Sequence, residues 1–370
     1  MIRYRTAPAP AETNIFAYCR YIVLWGLLLA RPWAASGQPA NSGTVSTLAG
    51  APKQAGSIDG VGPTARFKSP HGVVVGADGA VYVADTENHA IRRITAAGVV
   101  TTLAGALGQK GQADGLGATA RFAHPEGLAL DAQGNVYVAD AGNHTLRKVT
   151  PAGLVSTVAG QAGRAGRVDG AAPQALFNAP HGLAVGADGT VYVADTYNHT
   201  IRRISPSGTV TTLAGSPGQK GAGEGPGAQA RFFHPSGVAV DADGALYVAD
   251  NGNQTVRKIT PAGEVSTLAG AARKKGSADG LGPAARFRTP SGVAVDGQGH
   301  LYVADYVNST IRHLTPDGQV STLAGHPLGW GSQDGTGDAA RFAFPFGVAV
   351  DARGRLYVAD TQNMLIRCVE

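Results

Sequence analysis

The feature that most constrains this chain is a repeat of fixed length. The tetrapeptide ending Val-Ala-Asp closes at Asp85, Asp140, Asp195, Asp250, Asp305 and Asp360, so every step is 55 residues. A loop proline keeps the same interval at Pro70, Pro125, Pro180, Pro235, Pro290 and Pro345, and so does the glycine of a Thr-x-Ala-Gly run from Gly50 to Gly325. Six copies without insertion or deletion occupy residues 41–370. A period of this kind marks a small unit that cannot bury its apolar surface alone and must stack on its neighbours.

Composition identifies the unit. The 370 residues include 53 glycines and 21 prolines, which long helices tolerate poorly because each interior glycine costs about 1 kcal/mol relative to alanine. Glycine does not recur every third residue, so a collagen-like chain is excluded. A hydrophobic fraction of 43% also excludes a chain too polar to fold. The first copy contains four strand-like runs: His71–Gly76, Ala80–Ala84, His89–Thr95 and Val99–Leu103. They are separated by Ala77-Asp78-Gly79, Asp85-Thr86-Glu87-Asn88 and Ala97-Gly98. Apolar β-branched runs joined by glycine turns predict an antiparallel meander. Six such meanders set radially make an all-β, six-bladed β-propeller with blades of four antiparallel strands. The last copy stops in its third strand, Ile366–Glu370, while a lone fourth strand, Thr44–Ala49, precedes the first copy. The N-terminal strand is therefore expected to complete the sixth blade, which also removes an open sheet edge.

Residues 1–37 read as a signal peptide. Arg3, Arg5 and Arg20 precede the apolar run Tyr21–Ala30, and small residues Ala34–Gly37 follow. Ten residues rise only ~15 Å as a helix, about half of the ~30 Å hydrocarbon core. The expected location is outside the cytoplasm, periplasmic or secreted; the alternative is an uncleaved signal anchor over Ile15–Ala35, the one case in which membrane contact is expected. This segment also carries much of the formal net charge of +5, with four arginines against Glu12. The repeats alone total about +2, which gives little support to a nucleic-acid partner. The cysteines are Cys19 and Cys368, so the repeats hold no disulfide framework.

The turn motif resembles a known repeat. Asp85-x-x-Asn88-His89-x-Ile91-Arg92, Asp140-x-x-Asn143-His144-x-Leu146-Arg147 and Asp195-x-x-Asn198-His199-x-Ile201-Arg202 are similar to the NHL repeat. Later copies place Gln254, Ser309 and Met364 at the histidine position. The loop Gly56–Phe67 resembles that of exported bacterial NHL proteins, with departures at Ala171, Ala172, Leu176 and Glu224. The resemblance implies a propeller and leaves the activity open, because this architecture hosts many functions.

Residues present in all six copies are expected to be structural. Asp85, Asp140, Asp195, Asp250, Asp305 and Asp360 would accept N–H bonds from the turn that follows them. They would also supply a carboxylate to the third-strand arginines Arg92, Arg147, Arg202, Arg257, Arg312 and Arg367. Phe67 and its equivalents are expected to fill gaps between blades. His89, His144 and His199 are expected to cap turns, and the Asp-Gly of the long loop reads as a turn rather than a calcium site.

Variation between copies points to the site. The residue between the loop proline and the next glycine should line the mouth of the central channel. Around the ring it reads His71, Glu126, His181, Ser236, Ser291 and Phe346. The adjoining turns add Glu87, Tyr197, Asn251, Tyr306 and Gln362 as candidate ligand contacts. His71, Glu126 and His181 are competent ligands for a divalent metal (Ca, Mg or Zn), in an arrangement resembling six-bladed lyases and lactonases. No nucleophile elbow, phosphate loop or cysteine–histidine metal spacing is present, and no catalytic residue is assigned. The expected function is a monomeric binding scaffold presenting its mouth to a protein, peptide, glycan or small ligand. The alternative is a metal-assisted lyase or lactone hydrolase at the same mouth.

Overall fold

Each Val-Tyr-Val-Ala-Asp run is buried on both sides, which dictates how the sheets stack. In the first copy Val81 and Val83 pack with Ala349, Tyr357, Ala359 and Ile366 of the sixth copy, whereas Tyr82 and Ala84 pack with Leu128, Val136 and Val138 of the second. The period-2 alternation thus sends successive side chains to opposite neighbours. A computed structural model describes residues 42–370; the signal-like segment lies outside the described residues.

Six antiparallel sheets form the six blades of an all-β propeller. In blade 1 the strands run Pro70–Val75, Val81–Asp85, Ala90–Ile94 and Val99–Ala104 from the channel outward. The expected meander of four strands is joined by a fifth, Gly60–Val61, which pairs outside the fourth strand. A two-residue strand carries too little periodicity to be read from sequence, and its shortness blunts the outer edge. Blade 6 takes its fourth strand from the other end of the chain: Thr44–Ala49 pairs with Leu365–Val369 and with Gly335–Thr336. Val45 and Ala49 are buried in this seam.

The innermost strands are drawn together by the glycine after each mouth residue. A Cβ on Gly127 would lie 2.1 Å from the carbonyl oxygen of His181, and one on Gly347 would lie 2.3 Å from that of His71. No side chain fits at such a distance, so glycine sets how tightly neighbouring blades approach. The contact from Gly347 back to His71 closes the ring.

Between blades lie six apolar clusters rather than one core. Phe67, Phe122, Phe177, Phe232, Phe287 and Phe342 are each fully buried, one per cluster. A repeated arginine guanidinium covers each ring, with its central carbon 5.0–5.3 Å from the ring centre, a favourable cation–π geometry. Cys368 is a free, buried thiol.

Candidate functional site

Turns fasten the mouth face in the same way around the ring. Asp85 Oδ1 accepts the Lys68 N–H at 2.7 Å, while Oδ2 accepts N–H bonds from Asn88 Nδ2 at 2.8 Å and Arg92 Nη1 at 2.6 Å. The expectation that this carboxylate accepts N–H groups of the following turn is therefore corrected. Its backbone donor comes from the loop 17 residues earlier, and the turn contributes the Asn88 side chain instead. Burial pushes Asp85, Asp140, Asp195, Asp250 and Asp360 up to about 6, against the lowering pull of arginine and hydrogen bonds.

Arg92 also reaches outward. Its Nη2 donates to Asp59 Oδ1 at 2.7 Å, and Asp59 in turn accepts the N–H and hydroxyl of Thr102 at 3.1 Å. The Asp-Gly of the long loop is thus a clasp tying loop, arginine and fourth strand together, rather than only a turn. In blade 4 Glu224 accepts the Thr267 N–H at 2.8 Å, while the carboxylate paired with Arg257 is that of Asp250.

The repeated histidines do more than cap turns. His89 adopts φ 55°, and its Nδ1 accepts the N–H of His124 in the next blade at 3.2 Å. His144 and His199 do the same to Ala179 and His234. Gln254 Oε1 and Ser309 Oγ replace the imidazole as acceptors for Thr289 and Phe344. The interchange of His, Gln and Ser in the sequence was the available signal, because all three carry an acceptor; Met364 does not.

On this frame the mouth ring is assembled as expected in position but not in full as a ligand surface. His71 Nδ1 and Glu126 Oε2 lie 2.5 Å apart. Burial raises the Glu126 carboxyl, but the charges of His71, His181 and His124 and the His71 hydrogen bond outweigh it and hold the group below its usual value. Glu126 is therefore the acceptor and His71 Nδ1 the donor. Burial lowers His181, Glu126 opposes this, and the imidazole stays neutral at neutral pH. Phe346 stacks on His71, with centroids 4.4 Å apart and planes 12° apart. It also approaches His181 at 6.5 Å and Tyr306 at 6.0 Å, and Tyr197 lies 6.4 Å from His181.

Three of the other candidates, Ser291, Ser236 and Glu87, are buried or already engaged. Ser291 is fully buried and its hydroxyl donates to the Phe346 carbonyl at 2.8 Å, so it serves blade contact rather than ligand contact. Ser236 is likewise buried. Both serines also line the channel cavity. Glu87 is engaged by Lys68 at 3.3 Å. Gln362 is exposed, on the rim, and Asn251 is half-buried.

Below the mouth, the channel cavity is about 60 Å³, lined by the ring glycines and by Val73, Leu128, Leu183, Val238, Val293 and Val348. This volume suits a few waters, well short of the ~300 Å³ at which small-molecule pockets begin. Among the described residues no group of three or more His, Cys, Asp or Glu side chains is arranged to hold a metal ion. Glu126 is turned toward His71, so the three candidate ligands do not converge on one point, and no catalytic step is derived through a metal.

The comparisons agree with this architecture. A family model described as "NHL repeat" matches residues 67–94, 122–149, 177–204, 232–259, 287–314 and 342–369. Protein SUPPRESSOR OF QUENCHING 1, chloroplastic, of Arabidopsis thaliana is 32% identical over 295 residues, covering 74% of this chain and 28% of that protein. NHL repeat-containing protein 2 of Bos taurus is 30% identical over 280 residues, covering 66% and 38%. The chain thus spans well under half the length of these curated relatives. An auxiliary nutrient binding protein from Bacteroides thetaiotaomicron superposes with a TM-score of 0.68 at 16% identity, covering 89% of this chain and 76% of that one. A gluconolactonase from Xanthomonas campestris superposes with a TM-score of 0.58 at 17% identity, covering 88% and 89%. At these identities the likeness is one of fold.

Proposed function

Because the chain belongs to the NHL-repeat proteins, we propose that it is a binding propeller that takes its ligand on the mouth face. The observation that carries this reading is the ring of half-buried Phe346, His181, Tyr197 and Tyr306 around a channel too narrow for the ligand to enter. Repeated positions are consumed by blade contacts, whereas these vary and keep part of their rings in solvent. The nutrient-binding neighbour shares the fold and is compatible with such use. Delivery outside the cytoplasm by residues 1–37 belongs to the same proposal, and N-terminal sequencing of the mature protein tests it.

The test is calorimetric titration of the full chain with sugars, amino acids and short peptides. Any ligand found should lose at least tenfold in affinity in Phe346→Ala and Tyr197→Ala, with thermal unfolding preserved. Unaltered affinity in both variants would place the ligand elsewhere.

One observation favours a second reading, lactone hydrolysis or a related lyase reaction. The short His71–Glu126 contact joins a proton donor to an ionised acceptor, a pair suited to general acid–base work, on a fold shared with a gluconolactonase. An assay on gluconolactone, with His71→Ala as control, decides it. Turnover no faster than that of the variant removes this reading.

A further inference from the structure

The mouth face carries more than its central ring. Six lead-in loops rise around it, each tied to the turn of the preceding blade, as Lys53 N–H to the Asn363 carbonyl and Gly108 N–H to that of Asn88. Their tips hold Lys53, Lys110, Arg164, Lys220, Arg273 and Lys275, with Arg167 and Lys274 beside them, and all eight are exposed. The six tips contain no acidic residue. Acidic side chains recur on the opposite face. There the turn between the first two strands of each blade carries an aspartate: Asp78, Asp131, Asp188, Asp241, Asp296 and Asp351. Arg93 pairs with Asp78 and Arg355 with Asp351 there, so that face is mixed in charge, and the near-neutral total conceals a basic rim around the mouth.

The one tip without a cation, in blade 6, presents Trp330 at 55% exposure. From it a band of rings crosses the face. Trp330 meets Phe344 at 5.2 Å, and Phe344 meets Tyr306 at 5.1 Å. The central rings follow. Tyr197 then meets His234 at 5.2 Å, and His234 meets Phe233 at 4.7 Å. Lys220 lies over Phe233 at 5.0 Å, where the band reaches the cationic rim.

We propose, resting on the mouth-face reading above, that the ligand is an acidic oligosaccharide, a chain of sugar rings bearing carboxylates. Flat, half-exposed aromatic rings offer apolar platforms to the C–H faces of sugars. At the centre, His71 and ionised Glu126 offer a donor and an acceptor to hydroxyl groups. At the rim, eight cations complement carboxylates. A single-stranded nucleic acid would use the same rings and cations. Sugar rings, however, bring several hydroxyls per residue to the centre, where Glu126 can accept from them, whereas a nucleotide offers at most one hydroxyl there.

The experiment titrates the full chain with an oligogalacturonate, a neutral oligosaccharide of equal length and an oligouridylate. The oligogalacturonate should bind at least tenfold more tightly than either, and its affinity should fall steeply between about 0.05 and 0.5 M salt. Tyr197→Ala and Trp330→Ala should each weaken it severalfold. The double variant Lys274→Glu/Lys275→Glu, on an exposed tip, should weaken it and flatten the salt dependence, with thermal unfolding preserved. Tighter binding of the neutral sugar, or of the oligouridylate, overturns the acidic-sugar assignment while leaving the mouth in use. Binding of the oligogalacturonate that is indifferent to Tyr197→Ala and Trp330→Ala overturns the mouth itself. Absence of oligogalacturonate binding overturns the proposal.

Discussion

The wall of the propeller and its mouth are built on the same backbone and obey opposite rules. In the wall, Asp, Asn and Arg recur in six copies, buried and bonded at nearly constant distances, from 2.6 Å at Asp85–Arg92 to 3.0 Å at Asp305–Arg312. At the mouth, six equivalent positions hold His, Glu, His, Ser, Ser and Phe. The difference separates what the repeat needs from what a ligand can use: a buried ion pair leaves little freedom to substitute once one partner is fixed, whereas the ring positions accept residues as different as His, Glu, Ser and Phe.

Several substitutions break or sharpen this contrast. The largest effect is expected from deleting residues 41–50. This removes the fourth strand of blade 6, its ladder to Leu365–Val369 and the buried Val45 and Ala49. A loss on the order of 5 kcal/mol should follow from the hydrogen bonds and apolar area together. Denaturant unfolding reads it, and an unchanged midpoint would contradict the seam.

Next comes Asp250→Ala, for which a loss of roughly 3–5 kcal/mol is expected because the buried Arg257 keeps no carboxylate partner. Asp85→Ala should cost about 1 kcal/mol less, since Asp59 still pairs with Arg92. Equal losses would mean that the outer clasp contributes nothing.

A smaller effect, of opposite sign, is expected at the one turn lacking an acceptor. Met364→His, at φ 57°, supplies an acceptor for the Ser69 N–H and should add about 0.5–1 kcal/mol. A melting temperature equal to the parent's would show that the staple orients blades without stabilising them.

The smallest effect is one of slope. Burial, with repulsion from His199, His181 and Lys220, pushes His234 down to about 4. Unfolded, the same imidazole takes its proton near 6.5. Between these values the unfolded chain binds more protons, so this residue's contribution to stability is lost as pH falls. The wall aspartates, raised to about 6, act in the opposite sense, and comparison with His234→Asn isolates the histidine. The variant should lose less stability than the parent between pH 6.5 and 4; identical slopes would refute a neutral His234.

Much of the fold was legible because a 55-residue period leaves few topologies, and because the missing strand at one end matched the spare strand at the other. The mouth ring was legible for the same reason: an unbroken repeat transfers one position to six blades. What stayed hidden depends on contacts across 17 to 55 residues. Asp59 reads as half of an Asp-Gly turn until Arg92 and Thr102 are seen to meet it. Ser291 reads as a ligand contact until its hydroxyl is found on a neighbouring carbonyl. The basic rim of the mouth was hidden by addition, since the lysines and arginines at the loop tips cancel in a net charge against aspartates elsewhere.

The seam in blade 6 also sets a timetable for synthesis. Blades 1 to 5 are each drawn from one continuous stretch and can form as the chain emerges from the ribosome. Thr44–Ala49 is made early, yet its partner Leu365–Val369 appears more than 300 residues later. Until then the strand has no sheet to join, and its closure carries the largest loop entropy in the molecule. The ring is therefore expected to lock in a late, slow step, only once Leu365–Val369 has been made, and the waiting strand is the part a chaperone would find unpaired.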